Sequence, residues 1–332
     1  MDSYDLYLMD ADGGNAHRVA EGLVDLAGGP AWAPGGGRLV FGRAGSRSAG
    51  GGDGEPGLWM LNVHEGTETR LTDCSLHHEF GPRRPREFDP RFSPDGRQVV
   101  FERVYGDGVE GLPSRVVIVD TVTTEEKEVP LPGTARCPAN LVDCLDPAWS
   151  ADGTRLAFVQ QAWGVPRELW TFAVAGGRPQ RLTGGPGDED LPAWSPDGRR
   201  VAFAANGLYV MTASGADPRP VRQWPRSAPR ELSWAPDSRH IAVVLSRSGG
   251  GGLEVVDTET GEAVSTPGDV HSVSWSPDGD CLAFGMYDPP VEYVGQPGVR
   301  FLICRVNADG TGLTVLTPEG VHDASPAWEP GK

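Results

Sequence analysis

The chain has 332 residues, 46 of them glycine and 30 proline, and a net charge of −17, a composition that suits short strands and turns. It argues against a helical bundle, because no long stretch carries the three-to-four apolar spacing of an amphipathic helix. The negative field argues against nucleic acid or anionic membrane as partners, and no apolar run approaches the length of a transmembrane segment.

The chain opens on two strand patterns, residues 5–9 and 17–20, joined by an Asp12-Gly13 turn, with no leader-like stretch before them. The expected location is therefore the cytoplasm, and an odd count of five cysteines without a C-x-x-C pair fits a reducing compartment. Of 29 basic residues only Lys127 and Lys332 are lysine.

From Trp32 onward one unit recurs. Its clearest copy is Trp194-Ser195-Pro196-Asp197-Gly198 followed by Val201-Ala202-Phe203. The proline presets φ at the first corner, the aspartate bonds local backbone, and the glycine accepts the positive φ that closes a hairpin. The triplet after it supplies large, small and large apolar side chains, as a strand pressed between two sheets requires. The anchors are Trp32, Phe92, Trp149, Trp194, Trp234, Trp275 and Trp328, successively 60, 57, 45, 40, 41 and 53 residues apart. A floor near 40 residues with elastic excess is the spacing of a four-stranded propeller blade.

Third strands are predicted at 58–61, 116–119, 169–172, 208–211, 253–256 and 301–304. The opening pair matches strands three and four of a blade, and the closing Pro326-Ala327-Trp328 matches strand one. The two ends are thus predicted to meet in one blade. That counts seven blades, the closing one short of its second strand and left with an open hydrogen-bonding edge. The alternative is a six-bladed ring with a terminal segment displaced. Either way residues 1–332 form one all-β domain of antiparallel blades.

Short turns after strands one and three share a rim, while the opposite rim collects every long connection, and function is placed there. The loop 73–89 carries His77, His78, Arg83, Arg84 and Arg86, and Arg91 follows where every other repeat has Ala or Ser before its anchor. Arginine forks suit a carboxylate or phosphate; the plainer reading pairs them with Glu79, Glu87 and Asp89. Tyr105, Trp163, Trp224 and Tyr287 fall in rim connections, with the composition of a binding hot spot or of a satellite core. His271, and His322 beside Asp323, precede their anchors by four and six residues. Together with His77 or His78 they would suit a divalent metal. No H-x-H or H-E-x-x-H spacing exists, so hydrogen-bonded loop histidines compete and no cofactor is expected. Cys137 and Cys144 share one loop, close enough to pair under an oxidant, whereas Cys281 and Cys304 fall inside strand patterns as buried side chains.

The repeat, with Leu208-Tyr209-Val210-Met211 and residues 5–13 as its second half, resembles the TolB-type, WD40-like β-propeller repeat of bacterial proteins over nearly the whole chain. The resemblance implies the fold and leaves function open, because such propellers serve as protein-binding modules, peptidase lids and sugar-lyase scaffolds. No G-x-S-x-G elbow occurs, which sets the serine-peptidase branch aside. The leading expectation is a module that binds a protein or peptide segment, or a small acidic ligand, through the elaborated rim and channel mouth. The alternative is a lyase- or cyclase-type enzyme there, with His77, His78, His271 and His322 as metal ligands or general bases.

Overall fold

The computed structural model describes residues 4–23, 29–43, 56–74, 85–105, 113–131, 142–162, 164–184, 187–247, 252–288, 300–317 and 325–330. Every regular element among them is a strand. The chain begins with an antiparallel hairpin, β1 (Tyr4–Leu8) and β2 (His17–Leu23). Six four-stranded antiparallel blades follow. The first holds β3 (Ala31–Trp32), β4 (Arg38–Arg43), β5 (Gly57–Asn62) and β6 (Thr67–Arg70). The second holds β7 (Arg86–Phe92), β8 (Gln98–Val104), β9 (Ser114–Asp120) and β10 (Glu126–Glu128). The third holds β11 (Val142–Trp149), β12 (Arg155–Ala162), β13 (Glu168–Ala173) and β14 (Gln180–Arg181). The fourth holds β15 (Asp190–Trp194), β16 (Arg200–Ala204), β17 (Leu208–Thr212) and β18 (Arg219–Arg222). The fifth holds β19 (Ser227–Trp234), β20 (His240–Arg247), β21 (Gly252–Asp257) and β22 (Ala263–Thr266). The sixth holds β23 (Asp269–Trp275), β24 (Cys281–Asp288), β25 (Arg300–Asn307) and β26 (Thr314–Val315).

The repeated turn forms as its residues dictate. The Ser195 hydroxyl donates to Asp197 Oδ1 at 2.5 Å and accepts from the Arg200 amide at 3.0 Å. Ser93, Ser150 and Ser276 bond Asp95, Asp152 and Asp278 in the same way at 2.6 Å. Gly198 closes the turn at φ +71°, a conformation that costs most side chains. The strands behind the turns bury Phe41, Phe101, Phe158 and Phe284 completely between successive blades, each contributing about 1.5–3 kcal/mol of apolar burial.

Four anchor tryptophans tie their segment to the one before. The indole N–H of Trp149 donates to the Arg91 carbonyl at 3.1 Å, that of Trp234 to Ala193 at 3.0 Å, and that of Trp275 to Ser233 at 3.0 Å. Each acceptor immediately precedes the previous anchor. Trp32 donates to the Ala327 carbonyl at 3.1 Å, so residues 325–330 occupy the strand-one position ahead of the first blade. The Gly37 amide donates to Glu329 and the Trp328 amide to the Ser274 hydroxyl, which closes the ring on both sides.

The hairpin sits in the same gap. Leu6 and Ala20 pack on Leu39, Phe41 and Leu61 of the first blade. A Cβ on Gly13, at its turn, would meet the Leu316 carbonyl at 2.8 Å, as one on Gly215 would meet Leu182 of the preceding blade at 2.7 Å. The expected count of seven blades needs correction on this point. Six blades are complete, the lower of the two numbers expected. Among the described residues, the hairpin and residues 325–330 stand at the seventh position, and the latter form no strand. Among the described residues this innermost segment joins no ladder and is held by side-chain and indole hydrogen bonds.

One further expectation changes. Cys144 lies on β11, buried and unbridged, not in a loop with Cys137, which is outside the described residues. Cys281 and Cys304 are buried strand residues.

Candidate functional site: the carboxylate-lined channel

The innermost strand of each blade borders the central channel, and these strands share an irregularity. Three residues before the anchor comes a residue followed by proline: Gly29, Asp89, Asp146 and Leu191. Their φ values are +55°, +52°, +50° and +53°, although a residue before proline ordinarily stays extended. Aspartate tolerates the left-handed region and leucine tolerates it poorly. The ladder slips at the same place, between Phe88 and Arg91, Leu145 and Ala148, Asp190 and Ala193, Pro229 and Glu231, and Val270 and Ser272. Bulges of this kind re-aim side chains.

Their effect is to gather carboxyl groups from four consecutive blades. Asp146 and Asp190 are hydrogen-bonded to each other; burial first, then Asp190, Asp89 and Glu102, push the Asp146 carboxyl well above its ordinary range. A neighbouring carboxyl disfavours the charged form of Asp146. Burial also raises Glu102 to about 7, with Asp89 and Asp143 adding to the shift and the Ser114 hydroxyl opposing it. Glu231 rises to about 7 through burial and Asp89, opposed by Arg91, and accepts a hydrogen bond from the Val273 amide at 3.3 Å. Arg91 binds Asp89 at 2.8 Å and feels Glu231 and Asp146 from other blades, which raise its pKa after Asp89. Its side chain is 51% exposed. Arg167 binds Asp190.

Beside this group, on the sixth blade, His271 meets Tyr287 edge to face with ring centroids 5.2 Å apart. Burial depresses the imidazole to about 4, with Asp269 opposing, so it is neutral at neutral pH. Burial and Asp269 raise the Tyr287 hydroxyl. Gly285 makes the niche, because a Cβ there would meet His271 Cε1 at 2.3 Å.

The residues singled out in the sequence therefore divide. Arg91, His271 and Tyr287 stand at inner strands or next to them. Arg86 stands opposite Val104 at the far end of β7. Tyr105 is no rim aromatic: it is 4% exposed, and its amide donates to Pro113. Trp224 is half-buried against the core between the fourth and fifth blades; its indole donates to Glu254 at 3.0 Å and Arg222 covers its ring. Its replacement by alanine is expected to lower stability by about 2 kcal/mol without changing ligand affinity, as urea unfolding and titration would show. His77, His78, Arg83, Arg84, Trp163, His322 and Asp323 lie outside the described residues. Among the described residues no group of His, Cys, Asp or Glu is arranged to hold a metal ion. Sequence reading missed the carboxyl cluster, although Asp89-Pro90 and Asp146-Pro147, each two residues ahead of the residue-anchor step, carried its signal. A depression of about 230 Å³ between Asp12, Arg305 and Leu316 lies at an outer seam, away from these groups.

Residues 139–332 match the family model described as TolB beta propeller domain. No curated protein matches the chain. TolB from Acinetobacter baumannii shares 18% identity over 82% of this chain and 62% of its own, with a TM-score of 0.55. An oligogalacturonate lyase in complex with manganese shares 16% over 95% of this chain and 84% of its own, at 0.62. A puromycin hydrolase mutant complexed with PGG shares 18% over 96% of this chain and 50% of its own, at 0.67. The chain thus spans less than two thirds of that TolB and half of the hydrolase, and likenesses of this degree carry the fold.

Proposed function

We propose, from the premise that this chain belongs to the TolB beta propeller domain family, that it is a binding module for a positively charged peptide segment of a partner protein, taken up at the channel. The observation that carries this is the convergence of Asp89, Asp146, Asp190, Glu231 and Glu102 around Arg91, where burial raises the pKa of Asp146, Glu102 and Glu231. A cationic side chain or amino terminus entering the channel would replace those protons and recover the electrostatic cost. The groups come from separate blades, so an extended chain with several cations fits them better than a point charge does.

The same charges weigh against a small acidic ligand and against a polyanionic sugar. A lyase reading would rest on His271 with residues 77, 78 and 322. Its neutral imidazole is a weak base at about 4, which favours the binding reading.

The test is fluorescence anisotropy with labelled oligo-lysine and oligo-glutamate peptides of equal length. Oligo-lysine is expected to bind and to weaken with salt; Glu231→Gln and Asp190→Asn are each expected to weaken it by about tenfold. Affinity should rise between about pH 6 and 8, because Glu102 and Glu231 ionise there and a protonated carboxyl attracts no cation. Equal binding of oligo-glutamate, or indifference to both substitutions, would remove the channel from consideration.

A further inference from the structure

We propose that the depression between the β1–β2 turn and the sixth blade is a binding site for a small free amino acid with an apolar side chain, its carboxylate taken by Arg305 and its ammonium by Asp12.

Arg305 stands where the other blades keep an uncharged side chain. On β25 it lies opposite Ala283, the middle residue of the triplet Leu282-Ala283-Phe284. The residues opposite the middle of the corresponding triplets are Met60, Ile118, Thr171, Val210 and Val255. Four of these are buried, and Met60 packs on the core between the first two blades. The guanidinium that replaces them has its Nε buried without a hydrogen-bond partner. Among the described residues it joins no ion pair either. Asp278 on the same blade is held down first by the Ser276 hydroxyl and by backbone amides, and Arg305 contributes to it last. A buried charged donor left in this state is costly unless a ligand satisfies it.

The depression that Arg305 lines measures about 230 Å³. That is several times the share of one water, about 30 Å³, and below the roughly 300–1,000 Å³ of clefts that hold drug-sized molecules. The occupant is therefore a small molecule.

Its charges follow from the walls. Asp12 lines the same depression, fixed by the turn: its Oδ1 accepts from the Gly14 amide at 2.8 Å, and Gly13 lets the turn close on the sixth blade, since a Cβ there would meet the Leu316 carbonyl at 2.8 Å. Arginine and aspartate thus border one space without pairing with each other. A ligand with an anionic and a cationic end complements both. The guanidinium fork offers a carboxylate two parallel donors, and the aspartate leaves its other oxygen to an ammonium. A second carboxylate on the ligand would meet Asp12, and an amine alone would leave Arg305 unsatisfied. Buried Leu316 adds an apolar wall, which suits an aliphatic side chain.

The probes are L-alanine, L-valine and L-leucine, titrated by calorimetry into the full chain, and, for the tightest of them, the same molecule without its ammonium and without its carboxylate. Saturation at one per chain is expected, with each analogue at least about tenfold weaker. Arg305→Met, which installs the residue the first blade has at this place, should abolish binding at an unchanged or higher melting temperature. Asp12→Asn keeps the oxygen that accepts from Gly14; it should weaken the amino acid by at least about tenfold and leave the analogue without an ammonium unaffected. Neither substitution should alter oligo-lysine binding, which keeps this site separate from the channel. Three results would overturn the proposal: no saturation by any of the three amino acids, an analogue that binds as tightly as its parent, or undiminished binding to Arg305→Met. If Arg305→Met does not fold, Asp12→Asn and the two analogues decide by themselves.

Discussion

Replacing Arg103 by Met is expected to cost roughly 3–5 kcal/mol of stability. Arg103 on β8 is 3% exposed and donates to Glu87 at 2.9 Å and to Glu126 at 2.7 Å, its guanidinium lying over the Phe101 ring. Glu87, 1% exposed, also accepts from the Leu58 amide at 3.1 Å and from the Thr72 hydroxyl, both in the first blade. The carboxylate is thus a latch between the first two blades, with the Arg103 guanidinium as its cationic partner. Without that cation the buried carboxylate keeps only neutral donors. Urea unfolding at constant slope measures the loss. Combining Glu87→Gln with Arg103→Met should restore much of it, since a neutral amide needs no counter-ion. A cost below about 1 kcal/mol for the single substitution would mean that packing, not the ion pair, joins these blades.

Asp146→Asn is expected to raise the melting temperature at pH 8 by roughly 3 °C and to leave it unchanged near pH 4. The folded-state pKa of Asp146 is raised above its value in an unfolded chain by burial and by Asp190, Asp89 and Glu102. Between those two values the unfolded chain has released its proton while the folded chain holds it. Stability therefore falls as pH climbs through that window. Asparagine stays neutral, can donate to Asp190, and is suited to φ +50°. Glu102 and Glu231, also raised, keep part of the slope in the variant. A scan of melting temperature against pH is decisive, and a variant as steep as the parent would contradict the raised pKa of Asp146.

Most of the fold was legible because it is written in short-range chemistry. Each turn closes within five residues, as Ser195 and Asp197 do with the Arg200 amide, and each second strand announces itself by large-small-large alternation. The pairing of the chain's two ends followed from which strands of a blade each end contained. What escaped was set by sums over many residues. Trp224 and Tyr105 read as rim aromatics from their place in connections, yet Trp224 packs on the core between two blades and Tyr105 is buried. The arginine-rich loop drew attention, while Asp89, Asp146, Asp190 and Glu231 looked like unrelated acids, each about forty or more residues from the next.

By itself the sequence determined the blade unit, its turns and its anchors, because those depend on contacts that a few neighbouring residues make. Only the tertiary structure decided that four inner-strand carboxylates come together and that, among the described residues, six blades are complete. Both depend on the angle at which successive sheets pack and on one-residue slips in their ladders, and no local stretch of chain encodes a distance across a ring.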